Sequence, residues 1–179
     1  AMDRLTLWDN TVVVLLGDHG YHLGEHGWWN KVTVFDIGAR VPLVIWAPDA
    51  EGMGGETEAV VELLDIYPTL TGLCDVEPSH ELQGENLSAI LDEPSVVWQR
   101  PAFTQVVRGK VGMGYSVRYG DWRLTQWGQD GAGGLELYNV IEDKEGYYNR
   151  ADDLEYAAIH DQLADLLRQG YPQIDAGSG

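Results

Sequence analysis

The sequence lacks the features that would place it at once in several protein classes. Its 179 residues include one cysteine, which excludes an internal disulfide framework. No apolar run approaches the roughly 20 residues that a membrane-spanning helix needs. Basic residues are scarce, at 11 Lys and Arg against 29 Asp and Glu, and the formal net charge is −18. Because such a surface repels polyanions, nucleic acid and anionic membranes are poor partners for this chain.

The most informative stretch is an apolar run that leads directly into a loop rich in polar groups. The continuous β-branched and aliphatic residues 11–16 predict a strand buried on both faces of a parallel sheet, and Gly17 ends it. Ligands collect beyond the carboxyl ends of such strands, which is where Asp18 and His19 fall. A second apolar run, at residues 41–48, is predicted to return to the same sheet.

Lys31 is the sharpest candidate for binding an anion. It lies among Trp28, Trp29 and Phe35, and a partly desolvated ammonium suits a doubly anionic cluster of oxygens. The alternative is a surface lysine whose stem packs on the tryptophans. Asp18 has two interpretations as well, a metal ligand or the cap of a loop.

The arginines leave their roles open. Arg40, Arg108 and Arg118 are each as well suited to pairing with the surplus acids as to contacting an anionic ligand.

Several sequence blocks occur in the order of one known family. They are DHG at residues 18–20, LGEHG at 23–27 followed by Trp29, Lys31 and Phe35, VPL at 41–43, LDIYPTL at 64–70, LQGENL at 82–87, YSVR at 115–118, WRLT at 122–125, and ELYN at 136–139 with Glu145 and NRAD at 149–152. Together they resemble the second half of the type I sulfatases, closest to the iduronate-2-sulfatase and choline-sulfatase branch of the alkaline phosphatase superfamily.

The resemblance implies roles for residues of the loop. Asp18 and His19 would bind a divalent metal, and Lys31 would contact the sulfate and steady negative charge as the ester oxygen leaves. His26 matches a recurrent position and would contact the substrate or orient the site. Glu25 is interpreted as a structural hydrogen-bonding carboxylate, and His22 as a surface residue or one that lies behind the site.

The metal is not fixed by the resemblance alone. Ca²⁺ is the usual ion of sulfatases, but it prefers oxygen ligands, and an imidazole at His19 is better suited to Zn²⁺, Mn²⁺ or Fe²⁺.

The resemblance also implies a reaction, the hydrolysis of sulfate monoesters of small molecules or saccharides by a formylglycine nucleophile. The Cys/Ser-x-Pro/Ala-x-Arg motif that yields formylglycine does not occur around Cys74, which we expect to be a small buried residue at a helix end. We therefore expect the C-terminal part of a longer enzyme, inactive without its N-terminal half. The alternatives are a phosphonate or phosphate monoester hydrolase of the same superfamily, or a non-catalytic module from a truncated gene.

The predicted fold class is α/β. Residues 1–98 are expected to form the C-terminal portion of an alkaline-phosphatase-like sandwich, in which parallel strands pack with helices. Residues 99–176 are expected to form a small antiparallel sheet, because aromatic and β-branched residues alternate with polar ones between glycine-rich turns. The apolar positions Ile159, Leu163, Leu166 and Leu167 predict a terminal helix packed on that sheet. Residues 177–179 are predicted to be a tail.

Overall fold

The computed structural model describes residues 1–129 and 131–177, which fold as two compact units. The first unit contains residues 1–17 and 42–99, and the second contains residues 18–41 and the chain from residue 100 onwards. The loop after the first strand therefore belongs to the same unit as the C-terminal region. The predicted domain boundary at residues 98 and 99 stays a prediction, and residues 178 and 179 of the predicted tail lie outside the described residues.

The first unit is built around one pair of strands, β1 (Val13–Leu16) and β2 (Leu43–Trp46). They pair antiparallel, with Val13 opposite Trp46 and Leu16 opposite Leu43. The prediction that both runs lie in a parallel sheet with both faces buried is therefore wrong in its details, and Leu15 is 61% exposed. An apolar run carries no information about strand direction. Here the Gly17 amide donates to the Pro42 carbonyl at 3.0 Å, so the chain returns to the point at which it left.

The rest of the first unit consists of short helices joined by irregular segments. The helices are α2 (Ile66–Leu73), α3 (Ser88–Asp92) and three 3₁₀ helices at Asp3–Leu5, Trp8–Asn10 and Leu63–Asp65. Cys74 lies at the end of α2, as predicted, but it is exposed and the prediction of burial is wrong. The reason is local: Asp75 adopts a left-handed φ of 52°, which ends the helix in a tight turn.

The second unit is an antiparallel sheet with one long helix. The strands β3 (Ala102–Arg108), β4 (Gly112–Tyr119), β5 (Trp122–Trp127) and β6 (Gly134–Asn139) follow one another in that order, each paired with the next. The helices are α1 (Asp36–Ala39) and α4 (Ala157–Gly170), with 3₁₀ helices at Glu25–Gly27, Leu154–Tyr156 and Pro172–Gly177. The predicted antiparallel sheet with a terminal helix is confirmed.

The core of the second unit forms where α4 packs on the sheet. Val117, Leu124 and Leu137 come from three neighbouring strands, and all three are buried. Leu163 and Leu167 lie one helical turn apart on α4 and complete the cluster. Within residues 1–129 and 131–177, no helix is both long enough and apolar enough to cross a membrane.

Shortening a core side chain of α4 tests this packing. Leu163→Ala should lower the free energy of unfolding by about 2–5 kcal/mol, because Leu163 is fully buried in the cluster and a cavity would remain. Leu154→Ala is the matched control, since Leu154 is 91% exposed, and should change it by less than about 0.5 kcal/mol. The measurement is urea unfolding followed by tryptophan fluorescence. Equal losses in the two variants would contradict the described core.

Candidate functional site

Residues 18–41 form a loop that is closed by its own backbone hydrogen bonds. The Gly20 amide donates to the Gly38 carbonyl at 3.0 Å, and the His22 amide donates to the Asn30 carbonyl at 2.9 Å. Gly20 also has a steric role, because a Cβ at this position would lie 1.9 Å from the Ile37 carbonyl oxygen. The loop can therefore hold chemical groups in fixed positions.

Three side chains singled out in the sequence meet in this loop. Nε2 of His19 lies 2.9 Å from Nζ of Lys31 and 3.5 Å from Oδ2 of Asp18. Nδ1 of His19 lies 2.8 Å from the Gly20 carbonyl oxygen. A carbonyl can only accept and an ammonium can only donate, so Nδ1 carries the hydrogen and the lone pair of Nε2 accepts from Lys31. The Asp18 side chain is 84% exposed, which leaves its carboxylate accessible.

This donor set fits one part of a metal shell. A carboxylate oxygen and the lone pair of a neutral imidazole are both metal ligands, and the hydrogen bond at Nδ1 fixes the tautomer that a metal at Nε2 requires. Within the described part of the chain, no group of three or more His, Cys, Asp or Glu side chains could hold a metal ion. Asp18 and His19 therefore fit a shell that needs further ligands.

The backbone around Lys31 is held from both sides. Its amide donates to Oδ1 of Asn30 at 2.8 Å, and the Trp28 indole N–H donates to its carbonyl at 3.3 Å. Val32, the next residue, has a φ of 67°. For a β-branched side chain this conformation costs about 1–3 kcal/mol and persists only where the surroundings impose it. The burial of Thr33 and Val34 directly afterwards provides that constraint.

The two other histidines of the loop make contacts within the second unit. His22 is fully buried, and its Nε2 lies 2.7 Å from the Thr33 hydroxyl oxygen, so the interpretation as a surface residue is wrong. His26 stacks on Phe35 with ring centroids 3.9 Å apart, and its Nε2 donates to the Glu145 carbonyl at 2.7 Å. That bond ties the loop to the C-terminal region. A substrate contact by His26 stays a prediction.

Glu25 has the structural role that the sequence predicted. Its Oε2 accepts a hydrogen bond from the Leu23 amide at 2.6 Å. Hydrogen bonds from its own backbone and from that of Leu23 lower the pKa of Glu25, so the group stays ionised.

A buried ion pair anchors the loop to the antiparallel sheet, and sequence reasoning missed it. Oδ1 of Asp36, in α1, accepts from Nε of Arg123 at 2.8 Å and forms an ion pair with Nη2 at 2.7 Å. Oδ2 of Asp36 lies 3.8 Å from Nε of Arg118. Nη1 of Arg123 donates to the Ser116 hydroxyl at 3.1 Å. Burial lowers the pKa of Arg118, and the Asp36 charge acts against that effect.

A signal for this ion pair was present in the sequence. Arg118 and Arg123 flank the turn between two predicted strands and lie directly opposite each other. Like charges directly opposite each other on neighbouring strands repel, so an acid that contacts both arginines is expected.

Comparison with known proteins identifies the chain. Residues 24–173 match the family described as N-sulphoglucosamine sulphohydrolase, C-terminal. The chain is also 32% identical to mouse iduronate 2-sulfatase in an alignment that covers 87% of this chain and 39% of that protein. It belongs to the sulfatase family. The resemblance predicted from the sequence blocks is thereby confirmed.

Solved structures show the same fold for this sulfatase chain. A protein in complex with its substrate, D-glucosamine-2-N,6-O-disulfate, superposes with a TM-score of 0.84 at 26% identity over 99% of this chain and 37% of that one. A phosphonate monoester hydrolase of Agrobacterium radiobacter gives 0.79 at 26% identity over 97% and 37%. The predicted fold class is confirmed. The chain spans about a third of the length of the relatives that it matches.

Removing the acid of the buried ion pair tests the anchor. Asp36→Ala should lower the free energy of unfolding by about 3–5 kcal/mol, because it leaves Arg123 charged, buried and unpaired. Asp153→Ala removes the acid of an exposed pair with Arg150 and should cost at most about 1 kcal/mol. Chemical unfolding of both variants supplies the comparison. A loss for Asp36→Ala no larger than that of the control would show that the ion pair does not anchor the loop.

Proposed function

We propose that this chain supplies a metal-binding pair and a sulfate-binding lysine to a sulfatase, and that the whole protein containing it hydrolyses sulfate monoesters. One observation carries the proposal. On an accessible loop, Nε2 of His19 lies 2.9 Å from the Lys31 ammonium and 3.5 Å from the Asp18 carboxylate. A cation for the transferred group thus adjoins two metal ligands, in a chain that belongs to the sulfatases.

Lys31 acts on the group that is transferred. Its ammonium carries three N–H donors and no acceptor, so it can bind sulfate oxygens directly. When the bond from sulfur to the ester oxygen breaks, negative charge grows on the departing oxygen and on the sulfate. A fixed positive charge beside those atoms stabilises the transition state more than the ground state. The local cation is needed all the more because the chain has a net charge of −18.

Asp18 and His19 would hold a divalent metal, Ca²⁺ first, with Mn²⁺ or Zn²⁺ as alternatives. When bound, the metal supplies positive charge that polarises a sulfate oxygen. The residues of this chain have two tasks there: the Asp18 carboxylate provides negative charge, and the Gly20 carbonyl keeps His19 in the tautomer that binds metal. Lys31 must leave Nε2 for the metal to bind, which frees its ammonium for the substrate.

The nucleophile belongs to another part of the protein. The sulfatase resemblance implies a formylglycine in an N-terminal half, and on that basis we infer that the isolated chain has no sulfatase activity. Turnover of 4-nitrophenyl sulfate by the purified chain, abolished by Lys31→Ala, would refute that inference. A gene that encodes no Cys/Ser-x-Pro/Ala-x-Arg motif upstream of Ala1 would instead favour a non-catalytic module.

The substrate we propose is a sulfated saccharide. The structural relative with a TM-score of 0.84 binds D-glucosamine-2-N,6-O-disulfate as its substrate, and this supports the class without fixing the sugar. A phosphonate or phosphate monoester is the second candidate, favoured by the likeness to the phosphonate monoester hydrolase. The two are separated by the ratio of kcat/KM for 4-nitrophenyl sulfate to that for 4-nitrophenyl phenylphosphonate, which the proposal expects to exceed one.

Two substitutions in the whole protein separate the roles of Lys31 and His19. Lys31→Ala should lower kcat for a sulfate ester by roughly 10²- to 10³-fold, the usual loss for one preorganised electrostatic group, and leave metal content unchanged. His19→Ala should weaken metal affinity, and excess Ca²⁺ or Mn²⁺ should restore part of the rate. Steady-state kinetics with metal titration and elemental analysis measure both effects.

The control for these variants is Lys144→Ala, which removes one exposed lysine outside residues 18–41 and should leave kcat and metal content unchanged. The assignment is reversed if added metal rescues Lys31→Ala and leaves His19→Ala inactive. It is wrong altogether if both variants keep near-normal rates and a full complement of metal.

A further inference from the structure

Arg108 is an unusual cation in this acidic chain. Although acids outnumber basic residues by 29 to 11, no described carboxylate lies within salt-bridge distance of Arg108, and no N–H of its guanidinium donates to a described residue. Its side chain is nevertheless held in place at the end of β3. The guanidinium carbon lies 4.3 Å from the centre of the Trp28 ring, the geometry of a cation–π contact. Trp28 thus orients Arg108 without using its hydrogen-bond donors.

Trp28 also connects Arg108 to the proposed sulfate site. The same side chain that carries Arg108 on its face donates its indole N–H to the Lys31 carbonyl at 3.3 Å. The Lys31 backbone and the Arg108 guanidinium therefore contact the same tryptophan. A lysine and an oriented guanidinium linked through one tryptophan are suited to a ligand that carries two anionic groups.

Glu136 is an acid whose charge interacts with that of Arg108, but the two side chains form no ion pair among the described contacts. Oε1 of Glu136 accepts from the Trp127 indole at 3.2 Å, and Oε2 is buried without a hydrogen-bond partner among the described residues. Burial raises the pKa of Glu136, while the charges of His26 and Arg108 act in the opposite direction. Among the described residues, none accepts from the guanidinium donors of Arg108, which are therefore available to a ligand.

We propose that Arg108 binds a second anionic group of the substrate, a carboxylate or a second sulfate on the saccharide next to the sulfate that Lys31 holds. This inference rests on the proposed function of Lys31. The planar fork of a guanidinium matches the paired oxygens of either group with two parallel hydrogen bonds. Substrates with a second anionic group would be preferred over those with the ester sulfate alone.

The test uses the whole protein and sugars that differ in one charged group. Sugars are added as inhibitors of the hydrolysis of 4-nitrophenyl sulfate, which carries no second anion. Glucuronate is compared with its neutral match glucose, and N-sulfoglucosamine with its neutral match N-acetylglucosamine. Each anionic sugar that uses Arg108 should inhibit the wild type more strongly than its match. Arg108→Gln should raise that inhibition constant by roughly 10- to 100-fold, the range for hydrogen bonds to a charged group.

The same variant should keep kcat/KM for 4-nitrophenyl sulfate within about threefold, since that substrate lacks the second group. Lys110→Gln is the matched control, because it removes one charge two residues away and should leave the inhibition constants unchanged. Arg108→Lys should recover only part of the inhibition, because an ammonium lacks the fork. A loss confined to glucuronate identifies a carboxylate, and a loss confined to N-sulfoglucosamine identifies a sulfate.

Three results would overturn the inference. The anionic sugars could inhibit the wild type no better than their neutral matches, or Arg108→Gln could leave the inhibition constants unchanged. In the third result, Arg108→Gln lowers kcat/KM for 4-nitrophenyl sulfate by the same factor by which it raises the inhibition constant. The last would mean that Arg108 only supports the loop. If the whole protein hydrolyses no sulfate ester, the proposed function has failed. Calorimetric titration of wild type and Arg108→Gln with glucuronate and N-sulfoglucosamine then decides on Arg108 separately.

Discussion

The carboxylate of Asp36 is the contact on which the arrangement of the second unit depends. Arg118 and Arg123 lie opposite each other on neighbouring strands, and their mutual repulsion destabilises the fold more because the two charges are shielded from water. Asp36 is the acid that both approach, and it begins α1, the last element of the loop at residues 18–41. The same interaction therefore compensates the charges of the buried Arg123 and the partly buried Arg118, and it fixes the loop on the sheet. Without it, neither the strand register nor the loop position would be defined as strongly.

The geometry of the candidate site depends on the contacts that fix the loop at residues 18–41. Its backbone is fixed at one end by Asp36 and closed on itself by the bonds of Gly20 and His22. Within this frame the Gly20 carbonyl selects the tautomer of His19, and the strained Val32 sets the path of the chain after Lys31. Catalytic and binding groups need such rigid support, because a displacement of about 1 Å can remove most of their effect. The loop supplies that rigidity from side chains that do not react.

Sequence reasoning succeeded where the local pattern determines the structure. The alternation of residues 101–138 defined the antiparallel sheet, and the spacing of Leu163 and Leu167 defined the helix face on it. It failed where long-range contacts decide the outcome. The direction of β1 and β2, the burial of His22 and the exposure of Cys74 depend on neighbours that no short pattern reveals. Asp18, His19 and Lys31 were found by resemblance, whereas their mutual distances needed the folded loop.

The measurement that tests the account most directly is a crystal structure of the whole protein with a divalent metal and sulfate bound. The account predicts anomalous density for a metal coordinated by the Asp18 carboxylate and Nε2 of His19, with metal–oxygen distances of about 2.3–2.6 Å for Ca²⁺. Lys31 should have left Nε2, and its ammonium should contact a sulfate oxygen. A metal held by neither residue, with Lys31 still bonded to His19 and the sulfate elsewhere, would contradict the central claim that this loop carries the site.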